Sequence, residues 1–196
     1  MVLGLTGGIA SGKSLARQFL REFGANVIDA DSLAHSVLED SLIKNCIRNL
    51  FGKEVFTSEG AVDRNKLGSI VFQKHHKLQS LENIVHPQIR KMISEIIQNY
   101  RKNDTNSVMV IEVPLLFETS MENLFDEIIL ITSDSNIRIK RSLSSGLSEQ
   151  DIIQRMSYQI SPDKAKTSAD YIIENNGSSE ELKTKIYKLW QKLLKD

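Results

Sequence analysis

Cysteine is almost missing: Cys46 is the only one in 196 residues. A single thiol excludes an internal disulfide and any multi-thiolate metal site, and it fits a reducing cytosol. Cys46 itself is expected in the core, where unpaired cysteine usually lies. Net charge is missing too, because 25 Lys and Arg balance 25 Asp and Glu. Global charge therefore gives no argument for a nucleic-acid or membrane partner, although a phosphate site needs only a few well-placed cations. Long apolar runs are lacking as well. The longest, Val108 to Phe117, is interrupted by Glu112 and Pro114, whereas a membrane span needs roughly 20 apolar residues. The opening Met1 to Leu5 runs straight into glycines and Lys13, too short for a signal-peptide core. A soluble, cytoplasmic protein is expected, with neither nucleic acid nor membrane as partner.

What is present is ordinary for a globular protein, with 40% hydrophobic and 26% charged residues. The length suits one domain, residues 1–196, and is short for two. A monomer or weak oligomer is expected. Apolar runs alternate with helical patterns, which predicts an α/β fold with a mainly parallel sheet. Strands are expected at Val2 to Thr6, Asn26 to Ile28, Val108 to Val113, Glu127 to Thr132 and Tyr171 to Ile173. Between the second and third, residues of about 32–106 read as a helical insertion. Its clearest helix is Gln88 to Tyr100, where Ile89, Met92, Ile93, Ile96, Ile97 and Tyr100 follow i, i+3, i+4 spacing. Asn103-Asp104-Thr105-Asn106 reads as a closing linker. A last helix is marked by Ser178 and Glu181 as a capping box, with Leu182, Ile186, Leu189, Trp190 and Leu193 as its buried stripe.

The strongest motif is Gly7-Gly8-Ile9-Ala10-Ser11-Gly12-Lys13-Ser14, a full G-x-x-x-x-G-K-[ST] match with a strand before it and a helix after it. Glycines let successive N–H groups turn inward toward phosphate oxygens, and the following helix adds its positive end. Lys13 supplies a cation for the β- and γ-phosphates, and the Ser14 hydroxyl can ligate Mg²⁺. Such loops serve kinases, ATPases and GTPases alike. The nearest string to a guanine motif, Asn65-Lys66-Leu67-Gly68, lacks its acid. Small size and the helical insertion favour a kinase for a small acceptor over a motor ATPase or a nucleotide switch. Asp29 and Asp31 follow the second strand, at the sheet edge where ligands bind. Either can act as a proton acceptor, and either can cap the next helix or make a structural bond. His86 before Pro87 either shapes an acceptor pocket or caps a helix starting at Gln88. The pair His75-His76 reads as solvated. Arg138, Lys140 and Arg141 form a basic run that is either a solvated helix face or a phosphate clamp, and Ser148 to Asp151 reads as the cap of the following helix, which carries Arg155.

Taken together, these motifs resemble the dephospho-coenzyme A kinase family. The resemblance rests on Leu5-Thr6-Gly7-Gly8-Ile9, Ser11-Gly12-Lys13-Ser14, Val27-Ile28-Asp29-Ala30-Asp31, His86-Pro87, Val113-Pro114-Leu115-Leu116-Phe117-Glu118 and Ala169-Asp170 through Asn175-Asn176-Gly177. It implies a P-loop NTPase fold with a five-stranded parallel core, a helical acceptor-binding insertion and a lid near 141–158. It implies ATP and dephospho-coenzyme A as substrates, with Mg²⁺, and transfer of the γ-phosphate to the ribose 3′-hydroxyl. Asp31 is then the expected base, Arg141 the phosphate-clamping arginine, and Gly8 to Leu15 with Asn175 the ATP contacts. Asp31, His86 and Leu115 are the expected acceptor contacts. Three positions depart from the pattern. Leu15 stands where a Thr is common, Glu112 where an Asp is common, and Ser145 where a second lid arginine is common.

Overall fold

The computed structural model describes residues 1–71, 75–103 and 107–195. The expected linker therefore lies outside the described residues from 104 to 106. Five strands form one sheet: β1 (Val2–Gly7), β2 (Asn26–Asp29), β3 (Met109–Glu112), β4 (Glu127–Thr132) and β5 (Tyr171–Glu174). Their order is β2-β3-β1-β4-β5, and every ladder is parallel. β1 is buried along its whole length, as a central strand covered on both faces must be. β3 stops one residue earlier than expected. Val113 still donates to Leu5 O at 2.9 Å, but Pro114 has no N–H with which to continue the ladder.

The chain forms two compact units, residues 1–29 with 100–196, and residues 30–99. In the first, α1 (Lys13–Glu22) and α9 (Ser179–Leu193) cover one face of the sheet. Leu3, Leu5, Val110, Ile129 and Ile131 alternate inward to meet Phe19, Leu20, Ile186 and Trp190 there. The capping box at Ser178 and Glu181 and the whole expected α9 stripe are present. On the other face Gly4 leaves room for Leu116 and Phe125, whose side chains a Cβ would strike at 2.7 and 3.0 Å. The winding direction reverses at β1, because β2 and β3 lie to one side of it and β4 and β5 to the other. That switch point is where open α/β sheets bind ligands.

The second unit contains α2 (Ala30–Glu39), α3 (Ser41–Phe51), α4 (Arg64–Val71) and most of α5 (His75–Asn103). Its own core joins Val37, Ile43, Ile47, Phe51, Val55 and Leu67 with Leu78, Leu81, Ile84 and Ile89. Two expectations are corrected here. α5 does not begin at Gln88: it starts at His75 and passes through Pro87. A proline inside a helix costs about 3 kcal/mol. The apolar stripe from Leu78 to Met92 packs into one core on both sides of Pro87 and offsets that loss. Cys46 is exposed, not in the core. On α3 the inward face belongs to Ile43 and Ile47, and Cys46 falls a full 100° step away from Ile47.

Between β4 and β5 lie α6 (Ser135–Ser144), α7 (Glu149–Ser157) and α8 (Pro162–Thr167). Ser148 caps α7 by accepting from Asp151 N–H, as expected. No described helix is long and apolar enough to cross a membrane.

Candidate active site

β1 ends in Gly7, and the chain turns before α1 begins at Lys13. The turn needs unusual backbone: φ is 54° at Ala10 and 101° at Gly12, which is the N-cap of α1. Gly12 also accepts close packing, since any Cβ there would overlap the Asn175 amide. Lys13 Nζ folds back on the loop and donates to Gly7 O at 2.7 Å and Gly8 O at 3.1 Å. Ser14 is exposed in the first turn of α1, and Leu15 is partly buried against the sheet core.

Two neighbouring segments brace the loop. Asn175, buried just after β5, donates from Nδ2 to Ser11 O at 2.8 Å. Arg141 in turn donates from Nη1 to Asn175 O at 3.0 Å. The expected residues Ser11, Gly12, Asn175 and Arg141 thus form one connected set. On the other flank Gln159 Oε1 accepts from Ile9 N–H at 2.9 Å. Arg138, only 9% exposed, lies so close to Gly8 that a Cβ there would overlap its Nη1. Burial disfavours the charged guanidinium and lowers the Arg138 pKa. A cavity of about 170 Å³ opens beside these groups, lined by Gly7, Gly8, Thr132, Arg138, Gln159 and Phe117 among others.

Acidic groups sit at the carboxyl ends of the neighbouring strands. Asp29 and Glu112 are partners in the β2–β3 register. Arg17 of α1 bridges them, paired to Asp29 and at 3.1 Å to Glu112, which is 4% exposed. Of the readings open for Asp29, the structural bond is the one observed, and Asp29 is the last residue of β2 and not beyond it. Leu115 is half-buried in the turn after β3, where its carbonyl accepts from the Thr119 hydroxyl at 2.6 Å.

Asp31 and His86 belong to the second unit. Asp31 is in the first turn of α2. His86 is inside α5, so it does not cap a helix. Desolvation lowers its pKa below 6.5, and Glu82 one turn earlier opposes that shift in part. Arg17, Arg138 and Gln159 were not singled out as site residues by sequence. Arg138 stood in the basic run, but helical phase alone could not separate it from exposed Lys140. Gln159 follows α7 and has no local signature.

The glycine-rich turn thus sits at the switch point of the sheet, with Lys13 folded over it. The fold is that of the P-loop kinases. A shikimate kinase structure from Acinetobacter baumannii shares it at TM-score 0.56 and 12% identity, covering 99% of this chain and 93% of that one. Residues 1–181 match the family described as dephospho-CoA kinase (CoaE). A dephospho-CoA kinase of Staphylococcus haemolyticus is 38% identical over 190 residues, 96% of this chain and 93% of that one. The structure of a Campylobacter jejuni dephospho-CoA kinase superposes at TM-score 0.76 and 30% identity, covering 99% of this chain and 97% of that one. The chain belongs to the dephospho-CoA kinase family.

Proposed function

We propose that this protein transfers the γ-phosphate of ATP to the ribose 3′-hydroxyl of dephospho-coenzyme A, giving coenzyme A and ADP. The observation that carries the reading is the complete phosphate loop at the switch point, braced by Asn175 and Arg141, in a chain of this family. The N–H groups from Gly8 to Ser14 cradle the phosphates, and Lys13 leaves its carbonyl partners to follow the γ-phosphate. Arg141 and Asn175 hold ATP from the side of β5. Asp31 accepts the proton of the attacking hydroxyl, and His86 and Leu115 contact the acceptor.

Mg²⁺ fits the donor chemistry. The Ser14 hydroxyl is an exposed hard oxygen, and Mg²⁺ takes one or two protein oxygens alongside substrate phosphates and waters. When bound, the ion neutralises charge on the β- and γ-phosphates. A cytoplasmic location accords with one exposed thiol, Cys46.

A coupled ADP-release assay tests the reading directly. Dephospho-coenzyme A should stimulate ADP release far more than AMP or shikimate. Equal rates with all three acceptors, or none with dephospho-coenzyme A, would sink it.

A further inference from the structure

We propose that Arg138 grips the terminal phosphate of ATP over Gly8 during transfer, an inference that deepens the kinase reading above and rests on it. The starting point is a buried cation with no visible reason to be buried. Arg138 is 9% exposed, and among the described residues its Nε has no hydrogen-bond partner and no carboxylate forms an ion pair with it. Burying an unpaired charge is costly. A side chain needed only for packing there would be served better by methionine or leucine.

Its position says which anion would offset that cost. Nη1 lies against Gly8, and Lys13 Nζ is 3.1 Å from the carbonyl oxygen of the same residue. The loop lysine serves the β- and γ-phosphates, so the two cations converge at the terminal end of the nucleotide. An acceptor oxygen already sits there. Gln159 Oε1 takes the Ile9 N–H at 2.9 Å and lies 3.3 Å from where a Gly8 Cβ would be, beside Arg138. A phosphate oxygen in its place would meet both the N–H and the guanidinium.

The rest of the basic run does not reach this point. Lys140 and Arg155 are exposed, and Arg141 is bonded to Asn175 O. Ser145, further along, carries no charge and turns its hydroxyl back to Ser142 O at 2.8 Å.

The test compares Arg138→Met and Arg138→Lys with the parent protein. Affinities for ATP and ADP are titrated without acceptor, and kcat is measured at saturating substrates. A grip on the terminal phosphate predicts that Arg138→Met loses about tenfold in ATP-over-ADP preference while ADP affinity stays within about threefold. kcat should fall about 10²- to 10³-fold, with melting unchanged or raised. Arg138→Lys keeps the charge without the planar fork, so it should fall between. Equal losses of ATP and ADP affinity, or near-parental turnover in folded Arg138→Met, would overturn the proposal. If Arg138→Met does not fold, an unchanged ATP-over-ADP preference in Arg138→Lys overturns it instead. Failure of the kinase reading shows separately, as absence of acceptor-stimulated ADP release by the parent protein, because the nucleotide titrations need no acceptor.

Discussion

Two carboxylates two residues apart belong to different elements, and the first prediction separates them. Asp29 ends β2 in an ion pair with Arg17, whereas Asp31 opens α2. The Arg17 pair gives Asp29 a structural task, tying β2 to α1. On the proposed role of Asp31 as the base, Asp31→Asn should lower kcat by about 10² to 10⁴ with little change in ATP affinity. Asp29→Asn should act mainly on stability, and a larger kcat loss in that variant would reverse the assignment. His86 carries a separate pH signature. Its folded pKa lies below 6.5 because of burial, so below 6.5 the unfolded chain takes up a proton that the folded chain resists. Stability is thus fully present above 6.5 and is lost as pH falls through the folded value. Thermal melts from neutral to mildly acidic pH should show this decline in the parent and a shallower one in His86→Gln. Parallel profiles would contradict it.

At the scale of elements, Arg17 in the middle of α1 ties the ends of β2 and β3 to that helix. Arg17→Ala leaves Glu112 buried without that partner. Removing one partner of a buried polar pair costs about 1–3 kcal/mol, discounted here because Arg17 is 22% exposed. Denaturant unfolding should show a loss toward the low end of that range, and Arg17→Lys should recover part of it. Elements defined by strong local chemistry were legible in the sequence. β4 and the α9 stripe with its capping box stand where patterning placed them, because a short continuous apolar run and a reciprocal cap are short-range signals. α5 was cut short at Pro87, because a local breaker was outweighed by a core that only the folded unit displays. The buried face of α6 could not be read either. Charged residues at 138, 140 and 141 give no apolar stripe, so the inward phase of Arg138 and Ser142 appears only in three dimensions.

At the scale of the molecule, the phosphate-loop motif and the parallel five-stranded sheet were legible because a glycine-rich turn and apolar runs alternating with helices are local signals, whereas the strand order β2-β3-β1-β4-β5 depends on long-range pairing and appears only in the fold. The helical segment emerges as a unit of its own, residues 30–99, with its own core. Asp31 and His86 are carried by that unit, and the phosphate loop, Arg138, Arg141 and Asn175 by the other. The residues proposed for acceptor and for donor chemistry thus fall in different units, and the product tests the proposed roles. Phosphorus NMR of the product formed from ATP and dephospho-coenzyme A is the most direct measurement. The account predicts a new phosphomonoester coupled to the ribose 3′ proton, with ADP released in equal amount. A product in which the phosphate chain is lengthened instead would contradict it.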